Sequence, residues 1–103
     1  MNLYALHPGV YGDLEEIHAY IEGFNPGAAG RILDEFLDAF DLLANFPDHG
    51  HFRPDLTSRP LRFKVKRNYL IAYAYQLRPL WIVAVVDGRR NPRVIASILR
   101  TRE

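Results

Sequence analysis

Leu61-Arg62-Phe63-Lys64-Val65-Lys66-Arg67-Asn68-Tyr69-Leu70-Ile71-Ala72-Tyr73-Ala74-Tyr75 decides the fold class of this chain. Its first six residues alternate apolar and cationic, the period of a strand with one buried face. That pattern buries Leu61, Phe63 and Val65 and presents Arg62, Lys64 and Lys66 together. Arg67-Asn68 is short enough for an antiparallel hairpin turn. A second strand, Tyr69 to Gln76, puts Tyr69, Ile71, Tyr73 and Tyr75 on one face and Leu70, Ala72 and Ala74 on the other. Leu77-Arg78-Pro79 turns the chain again. A third strand, Leu80 to Val86, is nearly unbroken in apolar residues, as a central strand buried on both faces is. Tyr69, Tyr73, Tyr75 and Trp81 read as sheet packing in preference to platforms for stacked bases.

Working outward, the N-terminal side changes period. Leu3 to His7 is a short apolar run and a first strand, which Pro8-Gly9 ends. Val10, Leu14, Ile17, Ile21 and Phe24 then form one helical stripe, with Asp13, Glu15, Glu16 and Glu22 off it. Asn25-Pro26-Gly27 breaks that helix, and Pro26 suits the first turn of the next. A second helix from about Gly27 to Asn45 has an apolar face of Ile32, Leu33, Phe36, Leu37, Phe40 and Leu43 and an acidic face of Asp34, Glu35, Asp38 and Asp41. Gly30 inside it costs about 1 kcal/mol relative to alanine, so a close contact is expected there. Asp48 to Pro60 reads as a loop. On the C-terminal side, Val94 to Leu99 is a short helix or a last strand. The order implies an α+β fold: an N-terminal strand, then an antiparallel helical hairpin packed on one face of a mainly antiparallel sheet, then a short C-terminal element.

The charge is split along the chain. Residues 1–55 hold ten acidic and two basic side chains, and residues 56–103 hold eleven basic and two acidic, so the net charge of +1 hides a polarised molecule. A basic face attracts anionic partners, either a nucleic acid or an acidic protein surface. Arg62, Lys64, Lys66, Arg67, Arg89, Arg90 and Arg93 are the expected anion-binding or target-binding residues. The absence of cysteine excludes disulfides, thiolate metal sites and cysteine nucleophiles and suits a reducing compartment. His49-Gly50-His51 with Asp48 and Asp55 falls short of three or four convergent ligands, so no metal and no cofactor is expected. His7 and His18 read as structural. Met1 to His7 lacks the basic leader and apolar core of a secretion signal, and no run is long enough to span a bilayer. One domain of 103 residues in the cytoplasm, with no membrane association, is the expectation.

The chain resembles the RelE/ParE superfamily, the toxins of type II toxin–antitoxin pairs. The resemblance covers almost its whole length. It rests on Asp13-Leu14-Glu15-Glu16-Ile17 with Tyr20-Ile21, on Asn25-Pro26, on a second acidic helix ending in Phe46-Pro47, on Tyr69-Leu70-Ile71-Ala72-Tyr73, and on Ile82 through Asp87-Gly88-Arg89-Arg90-Asn91. It implies a helical hairpin packed on an antiparallel sheet.

The RelE-like branch implies a ribosome-dependent endoribonuclease acting on mRNA. Lys64, Lys66 and Arg90 would then be catalytic, with Arg62 supplying further charge and Arg90 at the family's catalytic arginine. The usual C-terminal helper is replaced by Ile95, and no tyrosine or histidine follows Tyr75. A lysine could move the 2′-hydroxyl proton only with a pKa far below its ordinary value. The helical half and the Gly88-Arg89-Arg90-Asn91-Pro92 turn are closer to the ParE-like branch, although Asp87 stands where that branch often has histidine. That branch implies a non-enzymatic inhibitor of DNA gyrase, neutralised by a ParD-like antitoxin. A third reading is an inactive paralogue that binds only an antitoxin.

Overall fold

The computed structural model describes residues 3–103, so Met1 and Asn2 of the leader reading lie outside the described residues. The chain runs β1 (Tyr4–Leu6), α1 (Pro8–Glu22), α2 (Ala29–Asn45), a short 3-10 turn (Pro47–His49), β2 (Arg62–Lys66), β3 (Tyr69–Ala74), β4 (Leu80–Asp87) and α3 (Pro92–Arg100). The four strands form one mixed sheet in the order β1-β4-β3-β2. β2, β3 and β4 are antiparallel neighbours, and β1 lies parallel to β4 with Ala5 opposite Trp81.

The hairpin of α1 and α2 covers one sheet face. Val10, Ile17 and Ile21 of α1 and Ile32, Phe36, Phe40 and Leu43 of α2 pack with Ile71, Tyr73, Leu80, Ile82 and Val85. The second face is covered by α3 and by Leu56 of the long loop, which enclose Leu61, Phe63, Leu70, Ala72, Val83, Ala84 and Val86 around Ile95 and Leu99. The hairpin thus occupies one sheet face, as expected. The C-terminal element is a helix on the opposite face, because β4 is apolar on both sides and each side needs a cover.

Local differences have physical causes. Pro8 does not merely end β1. It opens α1, where its missing N–H costs nothing, and His7 Nδ1 caps the helix by accepting from the Gly9 N–H at 2.9 Å. Pro26 lies in the connecting turn, outside α2. Phe24 lies beyond the end of α1 and is exposed, its ring edge-on to Tyr20 at 5.2 Å. A β-carbon at Gly30 would meet nothing within 4 Å, so no close contact explains that glycine. Leu37 is exposed at the margin of α2's face. Val65 is 60% exposed although Leu61 and Phe63 are buried, because it sits on the outermost strand beyond the reach of α3.

Gly50 does need to be glycine. A β-carbon there would stand 2.5 Å from the Tyr73 hydroxyl and 2.8 Å from the Phe63 carbonyl. The fully buried Tyr73 hydroxyl accepts from the Gly50 N–H and donates to the Pro47 carbonyl, both at 2.8 Å, fastening the start of the long loop to the core.

Candidate interaction surface

The alternation of β2 sets Arg62, Lys64 and Lys66 on the hairpin side, in register with Tyr73, Ile71 and Tyr69. There they meet the acidic half of the chain. Arg62 lies between the rings of Phe52 and Tyr75, at 4.3 and 4.7 Å from their centroids. It donates to the Gly50 carbonyl at 3.0 Å and approaches Asp48 at 3.6 Å. Its Nε is buried without a hydrogen-bond partner. Lys64 Nζ sits 2.9 Å from His49 Nε2, which accepts when unprotonated.

Glu35 of α2 receives two cations. Lys66 is 3.7 Å away, and Arg67 donates through Nε at 3.1 Å and Nη2 at 2.7 Å. The Arg67 hydrogen bonds hold the Glu35 carboxyl below its ordinary pKa. Arg67 has φ +55°, the left-handed conformation its two-residue turn requires.

The β4–α3 turn lies beside the β2–β3 turn, joined by the Gly88 N–H donating to the Asn68 carbonyl at 2.8 Å. In it Arg89 grips Asp87 with Nε at 3.0 Å and Nη2 at 2.8 Å, while its backbone N–H donates to the same carboxylate at 2.9 Å. The Arg89 side chain first, then its backbone N–H, draw the Asp87 pKa down to about 2. Asn91 caps α3 by accepting from the Arg93 N–H at 2.8 Å. The guanidinium groups of Arg90 and Arg93 make no hydrogen bond or ion pair among the described residues, and both side chains are exposed.

The seven candidate cations thus separate into two groups. Arg62, Lys64, Lys66 and Arg67 follow the β2 edge and are tied to the hairpin and the long loop. Arg89, Arg90 and Arg93 lie beyond β4, and only Arg89 is paired. Lys64 and Lys66 rest on His49 and Glu35, whereas Arg90 lines a cleft together with Tyr69 and Asp87. Exposed ion pairs of the β2 kind are worth about 0–1 kcal/mol each and can exchange partners.

A cleft of about 590 Å³ joins the Arg90 turn to α1, lined by Glu16, Tyr20, Tyr69, Asp87, Arg89 and Arg90 among others. At its floor is a clamp with no local signature in the sequence. Arg102 makes a bidentate pair with Asp13, and its Nη2 lies 2.8 Å from Asp13 Oδ1. Asp13 Oδ2 also accepts from the Val85 N–H at 2.9 Å, and Arg102 donates to the Val83 carbonyl at 3.3 Å. These groups belong to the stretch of β4 that three-residue β1 does not reach, so two side chains take the place of a neighbouring strand. Gly9 leaves room for this, since a β-carbon there would lie 2.6 Å from Arg102 Nε. Arg59 likewise donates to the Leu99 and Arg102 carbonyls and closes the end of α3.

His49 faces Lys64, and His51 exchanges backbone hydrogen bonds with Phe63 at 2.8 and 2.7 Å. Among the described residues no three histidine, aspartate or glutamate side chains gather as metal ligands. No described helix is long and apolar enough to cross a membrane.

Comparison with protein families finds a match over most of the chain. The model for the "ParE toxin of type II toxin-antitoxin system, parDE" aligns with residues 4–92, from β1 to the first residue of α3. Comparison with curated proteins finds no match.

Proposed function

We propose that this chain, which belongs to the ParE toxin family of type II toxin–antitoxin pairs, inhibits DNA gyrase by binding it and is neutralised by a ParD-like antitoxin. The binding mechanism is supported by the partners of these cations: Lys64 and Lys66 rest against His49 and Glu35, while Arg90 is unpaired beside the cleft. Cleavage of RNA requires several cations converging on one phosphate and a group to move the 2′-hydroxyl proton. Here the lysines rest against His49 and Glu35, and the buried Ile95 stands where the proton-moving helper would be. Adhesion needs no such convergence. The β4–α3 turn offers two unpaired guanidiniums, Arg90 and Arg93, beside a cleft that includes the exposed ring of Tyr20. We assign the main target contact to this turn, with Arg89 positioned by Asp87, and a lesser contact to Arg62, Lys64, Lys66 and Arg67. The cytoplasm, where gyrase works, is the proposed location, and no cofactor enters the mechanism.

Supercoiling by purified gyrase tests the proposal. Inhibition at micromolar toxin is expected, with no discrete cuts in ribosome-bound mRNA by primer extension. Cuts that vanish in Arg90→Ala would instead establish the nuclease reading. Unaffected bacterial growth on expression without the antitoxin would mark an inactive paralogue.

A further inference from the structure

β4 carries one more residue than β3 at its middle. Ala72 pairs with Ala84 and Tyr73 with Ile82, so Val83 has no partner across the β3 ladder. One extra residue in an antiparallel pair is a β-bulge, which bends its strand and increases the local twist. The bulge falls where the other neighbour of β4 ends. The last pair between β1 and β4 is Leu6 with Ile82, and the His7 N–H closes that ladder on the Ile82 carbonyl at 2.8 Å.

Asp13 and Arg102 meet the backbone at this bulge. The Val83 carbonyl accepts from Arg102 Nη1 at 3.3 Å, and the Val85 N–H donates to Asp13 Oδ2 at 2.9 Å. The two side chains are also bonded to each other, so the bulge sits in a closed ring of directional contacts. Residues 85 and 102 bracket the β4–α3 turn and the whole of α3. One carboxylate of α1 therefore holds both ends of the segment that carries Arg89, Arg90 and Arg93. Between these ends the Gly88–Asn68 bond ties the turn to its neighbour, and α3 meets the sheet through Ile95 and Leu99, whose apolar contacts are non-directional.

From this geometry we infer that Asp13 and Arg102 are positioning residues for target binding. By holding the Val83 bulge they set the direction in which β4 leaves the sheet, and so where the turn presents Arg90 and Arg93. The inference rests on the reading of that turn as the main target contact. The pair itself stays on the floor of the cleft and does not touch the target.

Charge separates positioning from direct contact. Arg102→Gln removes a positive charge from the cleft, and Asp13→Asn removes a negative one. A direct electrostatic contact would move inhibition in opposite directions in the two variants, whereas a positioning role weakens it in both. The experiment is inhibition of gyrase supercoiling by the full chain, below the melting temperature of every variant, together with amide NMR of the free toxin. Both variants, with unchanged circular dichroism spectra, should inhibit at least fivefold more weakly, and their Gly88 and Arg90 amide signals should move. Arg102→Lys keeps the charge but loses the planar fork, so it should behave like Arg102→Gln, and it replaces that variant if glutamine prevents folding. Tyr73→Phe removes only a hydroxyl bonded to the long loop and is the destabilised control. It should inhibit like the wild type, with the turn signals in place. Wild-type inhibition by either clamp variant, changes of opposite sign, or an equal loss in Tyr73→Phe would each overturn the inference. A wild-type toxin that leaves gyrase untouched would remove the target reading alone. The NMR signals then decide the clamp, and turn signals unmoved in both variants would overturn it.

Discussion

On the hairpin side of the sheet, α1 and α2 enclose Ile71, Tyr73, Leu80 and Ile82 completely. On the other side α3 stops short, and Trp81 stays half-buried in an open groove. The same contrast holds for charge. The basic edge of β2 meets Glu35, Asp48 and His49, whose two carboxylates offset part of its four cations, whereas Arg78, Arg90 and Arg93 keep guanidinium nitrogens free of partners among the described residues. Charge that is segregated along the sequence is thus recombined by folding. What folding leaves open is an apolar groove and a turn, and the cationic strand carries more local partners than its sequence implies.

The largest effect that sharpens this contrast is expected at Phe36, which is wholly buried. Phe36→Ala should cost about 3–5 kcal/mol in chemical denaturation, whereas Leu77→Ala in the open groove should change stability by less than about 0.5 kcal/mol. Equal losses would mean that both faces are packed alike. Next comes the clamp. Asp13→Ala removes the acceptor of both Arg102 and the Val85 N–H, with side chains only 12% and 15% exposed, and should cost about 3 kcal/mol. A melting temperature equal to the wild type's would show that the pair adds nothing. Tyr73→Phe strands the Gly50 N–H and should cost about 1–3 kcal/mol. Proteolysis within residues 47–60 should accelerate in this variant, and an unaltered rate would contradict the anchoring role.

Smaller still is a pH effect at the turn. The Arg89 side chain and backbone N–H hold the folded pKa of Asp87 at about 2, below its ordinary value of 3.8. Its contribution to stability is therefore complete above about pH 4 and is lost as the pH falls through about 2. NMR titration of Arg89→Ala should return Asp87 toward 3.8, and a value still near 2 would assign the shift to another group. The smallest effect is a gain: Gly30→Ala, with open space around the new methyl, should stabilise α2 by up to about 1 kcal/mol.

How much of this was legible in the sequence follows the range of each interaction. Period-two alternation located β2 and β3, an unbroken apolar run located β4, and the stripe of Val10, Ile17 and Ile21 located α1, because local patterning records which faces are buried. The same alternation misassigned Val65, since period does not record where the covering helix ends. Phe24 continued the stripe in spacing but lay past the last turn of α1. The branched run Val94 to Leu99 fitted helix or strand, and the N-cap at Asn91 with Pro92 after it decided for helix. At the surface, the sequence identified the cations but not their partners. Glu35 meets Arg67 across 32 positions and Asp13 meets Arg102 across 89, and neither pair leaves a local pattern. The groove at Trp81 was hidden for the same reason: it is defined by what α3 fails to cover.

The most direct test of the account sets the free cations against the paired ones in one gyrase supercoiling assay. Arg90→Ala with Arg93→Ala should reduce inhibition at least tenfold while the circular dichroism spectrum stays unchanged, and Lys64→Ala with Lys66→Ala should reduce it by less than threefold. Full inhibition by the first variant together with loss in the second would contradict the account and return the functional surface to the basic strand.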